Sequence, residues 1–156
     1  MSAKLLEGKP VADGVMLQVA VRTAALRSIG VVPGLATILV GDDPGSAGYV
    51  RKKHEACDSA GFWSENIHLP SSTTQDELHA TVERLNADRR IHGFLIQHPL
   101  PPPLDFGRAL LRMDPRKDAD GLHPTNLGRL AMGDPGPVPA TPSGVRAMLV
   151  HYGVIA

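Results

Sequence analysis

The sequence has little with which to build a covalent framework. Its single cysteine, Cys57, has no partner for an internal disulfide, and one thiol cannot supply a cysteine-rich zinc site. It also lacks an excess of charge of either sign. Sixteen Lys and Arg balance sixteen Asp and Glu, so no long-range field would gather nucleic acid or an anionic membrane surface. No apolar stretch could span a bilayer, and the opening Met1-Ser2-Ala3-Lys4 leads into mixed polar sequence rather than an apolar leader. Repeats, charge blocks and low-complexity tracts are missing, and the seven histidines show no pairing at metal-ligand spacing. These absences are compatible with a reducing cytoplasm, the expected location, favour a small or mixed-charge ligand, and predict no metal.

What is there reads as one globular domain over 1–156, since 156 residues with 42% hydrophobic and 21% charged side chains suffice for an apolar core. Val11, Val15 and Val19 recur at helical spacing from Lys9 to about Ser28, with Gly30 available to end the element. Gly34 to Val40 is apolar on both faces, as a strand covered by helices on two sides requires. A second helix is expected from about Ser46, taken as its cap, to Ala60, with Gly61 as its stop. Trp63 to Leu69 alternates and suggests an edge strand with one wetter face. Thr74 and Glu77 form a capping box for a third helix carrying Leu78, Val82 and Leu85.

His92 to Gln97 supplies another short buried strand, stopped by the proline-rich run from Pro99 to Pro103. Asp105 opens a brief helix through Arg112. Thr141 and Pro142 open the last one, with Val145, Met148 and Leu149 expected inward and Gly153 at its end. Strands alternating with helices imply parallel pairing, hence an α/β domain.

Ligands of such sheets bind beyond the carboxyl ends of the strands. That rim would collect the Asp42–Gly48 loop, then Tyr49 and Lys53 from the second helix, and Gln97 from the tip of the strand through Phe94. Tyr49 and Lys53 are four residues apart and share a helix face. Arg51, Lys52 and the nearby positive helix end weigh against the charged form of the Lys53 amine, the direction that acid-base work near neutrality needs. The Gln97 amide could accept from that amine and donate to a substrate carbonyl. Asp120 offers a carboxylate suited to a fork of ring nitrogen donors.

Each residue also has a plainer reading. A helical lysine is ordinarily a solvated surface group, Tyr49 could be rim packing, and Gln97 could merely cap a strand end. Asp118 and Asp120 are weak evidence for a cation and fit turn capping better. The Asp43-Pro44-Gly45-Ser46 turn resembles a phosphate loop, but Asp42 and Asp43 would repel a phosphate and the glycine spacing is wrong. Cys57, without a histidine partner, reads as a small buried apolar group.

Taken together, Val40-Gly41-Asp42-Asp43-Pro44-Gly45-Ser46, Tyr49-Val50, Lys53 and Gln97-His98-Pro99-Leu100-Pro101 resemble the bifunctional methylenetetrahydrofolate dehydrogenase/methenyltetrahydrofolate cyclohydrolase family. Asp114 through Pro124, Asn126 through Leu130 and Pro139 through Gly144 agree, so the likeness runs along essentially the whole chain. The resemblance implies the family's amino-terminal catalytic domain, a three-layer α/β/α fold with a mostly parallel sheet. It implies Lys53 as general acid/base, Gln97 tuning it, Tyr49 stacking on the folate, Asp120 anchoring the pterin, and Pro99 and Leu100 in contact with substrate. The substrate would be a tetrahydrofolate derivative. NADP would be held by a following Rossmann domain, which this chain is expected to lack, so hydride transfer by the chain alone is in doubt.

Two departures stand out: the family usually has leucine where His98 stands and cysteine where Ala140 stands. A catalytically silent folate-binding or subunit-interaction module is the alternative reading. A homodimer or a separate nucleotide-binding chain is the corresponding partner.

Overall fold

The computed structural model describes residues 3–155. Its elements run α1 (Gly8–Ser28), β1 (Gly34–Val40), α2 (Pro44–Ala60), β2 (Trp63–Leu69), α3 (Gln75–Ala87), β3 (Gly93–Ile96), α4 (Phe106–Leu110), a 3-10 turn (Pro115–Lys117), α5 (Pro124–Met132) and α6 (Ala140–His151). The three strands form one parallel sheet in the order β2-β1-β3, which places the apolar β1 at the centre and the alternating β2 at an edge.

Strand periodicity divides β1 between two layers. Ala36, Ile38 and Val40 point one way, into a core closed by Leu78, Val82 and Leu85 of α3, Phe94 and Ile96 of β3, and Ala109 and Leu110 of α4. Leu35, Thr37 and Leu39 point the other way, under α1 and α2. Helices therefore cover both faces, as the three-layer α/β/α expectation requires.

Local chemistry explains the element ends. The Thr74–Glu77 capping box forms as the sequence requires. At α2 the cap is Asp43 rather than Ser46: Pro44 takes the first helical position and Asp43 accepts from the Ser46 backbone N–H at 2.7 Å. That bond holds the Asp43 carboxyl below the usual aspartate range. Gly61 ends the helix with a left-handed φ of 76°.

β3 is shorter than the expected strand, although His92 N–H and Gln97 N–H still donate to Gly34 and Ile38 carbonyls on β1. The brief helix after Asp105 stops at Leu110. On α6, Met148 and Leu149 are half-buried, but Val145 is 47% exposed, so the inward stripe is narrower than expected. α5 was not foreseen, although Pro124 at its first position and Gly133 at its end punctuate it.

Candidate active site

Three independent pieces of local structure meet at the carboxyl end of the sheet. β1 feeds the Gly41–Asp43 loop into α2, whose helical period sets Tyr49 and Lys53 on one side. β3 ends at Ile96 and delivers Gln97, anchored by its backbone to Ile38 of β1 at 2.8 Å. After the 3-10 turn the chain returns beside β3, bridging Asp118 to Phe94 in parallel, with Ala119 N–H donating to the Phe94 carbonyl at 3.1 Å. Continuing in that direction carries Asp120 to the level of Gln97.

The Lys53 amine donates to Gln97 Oε1 at 3.1 Å, and Gln97 Nε2 donates to the backbone carbonyl of His98 at 2.9 Å. The second bond fixes the amide so that its oxygen, not its nitrogen, faces Lys53. Arg51 turns aside to Glu55 at 3.5 Å. A neighbour not foreseen for Lys53 is Asp120, close enough for the two charges to interact. Burial pushes the Asp120 carboxyl above the ordinary aspartate value; the Lys53 charge pulls it back and the Asp118 charge raises it further.

Asp118 builds the loop that carries Asp120. It is 3% exposed and accepts from Gly121 N–H at 2.9 Å, His123 N–H at 2.8 Å and Asn126 Nδ2 at 2.9 Å. Turn capping is its role here. Gly121 then permits a close approach: a Cβ there would lie 2.3 Å from the Val138 carbonyl carbon, and its φ is 69°. The segment leading into α6 is pressed against this loop, with Ala140 N–H donating to the Asp120 carbonyl at 3.3 Å.

These elements enclose a cavity of about 370 Å³ lined by Tyr49, Lys53, Gln97, Asp120, Leu122 and the segment from Pro139 to Pro142. Its size is that of a small-molecule site. Four of the six residues singled out in the sequence meet here. Pro99 and Leu100 do not line it: Pro99 is exposed and Leu100 leans on the core of the α3 layer. Leu122 and Pro139–Pro142 are not among the expected site residues, although the Pro139–Pro142 string is one of those that carry the family resemblance.

A larger cleft of about 480 Å³ lies at the amino end of the strands, beside Trp63, Arg89, Arg90 and His92. It lacks a bonded amine and amide like Lys53 and Gln97, and the sheet's geometry favours the opposite rim. Among the described residues no three His, Cys, Asp or Glu side chains group as a metal site would need. Cys57 is buried, and burial, with the Asp58 charge, pushes its thiol up, which suits an inert packing group.

The family model described as tetrahydrofolate dehydrogenase/cyclohydrolase, catalytic domain, matches residues 6–120. The chain is 51% identical over 152 residues to a protein of Salinispora tropica named bifunctional protein FolD 1, covering 97% of this chain and 50% of that one. Among solved structures, the bifunctional methylenetetrahydrofolate dehydrogenase/cyclohydrolase of Campylobacter jejuni superposes with a TM-score of 0.94 at 38% identity, over 98% of this chain and 55% of that chain. The Trypanosoma brucei enzyme, solved with NADP cofactor and an inhibitor, gives 0.91 at 37% identity, over 98% and 53%. The chain thus spans about half the length of the proteins it matches.

Proposed function

Because the chain belongs to the tetrahydrofolate dehydrogenase/cyclohydrolase catalytic-domain family, we propose that its cavity binds a tetrahydrofolate derivative and that Lys53 moves the protons when 5,10-methenyltetrahydrofolate is hydrolysed to 10-formyltetrahydrofolate. The observation that carries this reading is the 3.1 Å bond from Lys53 to an amide oriented by a backbone carbonyl, at the wall of a ligand-sized cavity.

In the proposed reaction a water oxygen bonds to the methenyl carbon and one of the water's protons passes to Lys53 acting as base. The carbon–N5 bond then breaks as Lys53 returns that proton to N5, the remaining hydroxyl proton is released to solvent as the formyl C=O forms, and the formyl group stays on N10. Gln97 Oε1 holds the ammonium between the two transfers. Tyr49, 65% exposed at the cavity mouth, offers a plate for the pterin. Asp120, poorly solvated as a carboxylate, gains from ring N–H donors that replace water. Pro99 and Leu100, which lie outside the cavity lining, are given no contact with substrate in the proposal. The domain is taken to include residues past 120, since Leu122 and Pro139–Pro142 line the same cavity.

The family name also includes oxidation of 5,10-methylenetetrahydrofolate, in which NADP accepts a hydride. The strand-to-helix turn from Gly41 to Gly45 does not fit its pyrophosphate, because Asp43 already fills the α2 amino terminus and Asp42 adds a second negative charge. No hydride step is assigned to residues of this chain. A cytoplasmic setting belongs to the same proposal, supported by a lone buried thiol, and no helix is long and apolar enough to cross a membrane. So does a protein partner, either a second copy or a nucleotide-binding subunit, supported by the exposed Leu130, Met132 and Val145 of α5 and α6.

The test is hydrolysis of 5,10-methenyltetrahydrofolate by the chain. Lys53→Met should lower the rate by about 10²–10⁴-fold while calorimetry still detects folate binding. An unchanged rate removes Lys53 from the chemistry. Binding by the parent chain without turnover would make it the silent module instead.

A further inference from the structure

β1 is apolar along its length except at Thr37, which sits at its middle with no accessible surface. A hydroxyl buried there has to be paired. It donates to Asn66 Oδ1 of β2 at 3.2 Å and lies 3.0 Å from Nε2 of His54 on α2. With its proton committed to Asn66, the Thr37 oxygen can only accept from the imidazole. His54 Nε2 therefore donates to Thr37, and Nδ1 lies 2.7 Å from Ser64 Oγ of β2, a second hydrogen bond. One ring on α2 is thereby tied to two strands beneath it.

His54 directly follows Lys53. The helical turn of about 100° per residue directs Lys53 to the cavity and His54 to the sheet. The flank of α2 toward α1 is not filled. An open apolar groove of about 240 Å³ lies there, bordered by Met16, Val19, Ala56 and Cys57 and by Lys53 itself. A turn with unfilled packing on one side is held in place by directional bonds on the other. The 3.1 Å reach of Lys53 to Gln97 leaves little slack before the contact ceases to be a hydrogen bond.

We infer that His54, through Thr37 and Ser64, is a positioning residue that sets the height of α2 above the sheet so that the Lys53 amine meets Gln97 at the cavity wall. Its consequence for turnover rests on the reading of Lys53 as the acid/base group. Its consequence for the placement of the amine does not.

Three variants test it: Thr37→Val, which keeps the shape and removes the hydroxyl; Thr37→Ser, which keeps the hydroxyl; and His54→Leu. All are measured below their melting temperatures. One readout is the rate of reductive methylation of Lys53 relative to Lys52, by peptide mass spectrometry. The other is kcat and KM for methenyltetrahydrofolate hydrolysis.

Thr37→Val and His54→Leu should free Lys53 from Gln97 and raise its relative methylation severalfold. They should lower kcat by about tenfold with KM little changed, since a displacement of about 1 Å can cost up to about 100-fold. Thr37→Ser should restore both readouts. If folded Thr37→Val and His54→Leu leave the methylation ratio and kcat at parent values, whatever happens to their melting temperatures, the tether is only structural and the inference is wrong. If the parent chain hydrolyses nothing while the methylation ratio shifts as stated, the positioning role stands and the acid/base reading falls.

Discussion

The two faces of the sheet are built on different terms. Toward α3 and α4, β1 presents Ala36, Ile38 and Val40 to a core in which Leu78, Val82, Leu85 and Phe94 have no accessible surface. Toward α1 and α2, the same strand presents Thr37 to a polar bridge, and an apolar groove remains between the helices. α1 itself buries only Thr23 among its residues and leaves Val15, Leu17 and Val21 about half or more exposed. One face is held by close packing; the other combines directed bonds beneath α2 with the helix face that carries Lys53.

That contrast can be broken or sharpened by substitution, beginning where the effect is largest. Leu85→Ala, in the close-packed layer, should cost about 2–5 kcal/mol in urea or thermal unfolding, because the cavity left behind cannot collapse. A cost well below that range would mean the α3 face is looser than its burial indicates. Enlarging an alanine on each face gives opposite signs. Ala36→Leu should destabilise by about 1–3 kcal/mol through overpacking, whereas Ala56→Leu, which points into the groove beside α1, should stabilise by about 0.5–2 kcal/mol. Equal signs in the same unfolding assay would erase the distinction between the faces.

The smallest effect concerns the site. Asp120 has a folded-state pKa raised above its ordinary value, so its ionisation opposes folding. The stability associated with its protonated form is fully present below the unfolded pKa of about 3.9 and is lost as pH rises through the raised folded value. Asp120→Asn should therefore melt slightly higher than the parent at pH 7, and the gap should close as pH falls toward 4. A variant that melts lower at pH 7 would show that the carboxylate supports the fold through bonds that offset its burial.

The parts of this architecture readable in the sequence are those set by neighbours along the chain. The apolar run of β1, the Thr74–Glu77 box and the four-residue spacing of Tyr49 and Lys53 each need only local rules, and each element formed. Asp43 and Ser46 are both good caps, and the choice between them turned on Pro44, whose fixed φ begins the helix one residue after Asp43. α5 has nine residues and was obscured by loop-like composition. What could not be read was set by contacts across the chain. Nothing near Thr37 in sequence announces His54, Ser64 or Asn66 as its partners. The arrival of Asp120 beside Gln97 depends on a bridge between Phe94 and Asp118, and the wall from Pro139 to Pro142 depends on Gly121 having no side chain.

The orienting bond to Gln97 comes from a main-chain atom of residue 98, and every amino acid supplies the same carbonyl. The imidazole of His98 points elsewhere, meeting Phe106 edge to face at 5.3 Å between ring centroids. A histidine where the family usually has leucine is thus invisible to the amide it adjoins. Position 98 has two separable attachments, its peptide carbonyl to the Gln97 amide and its ring to Phe106.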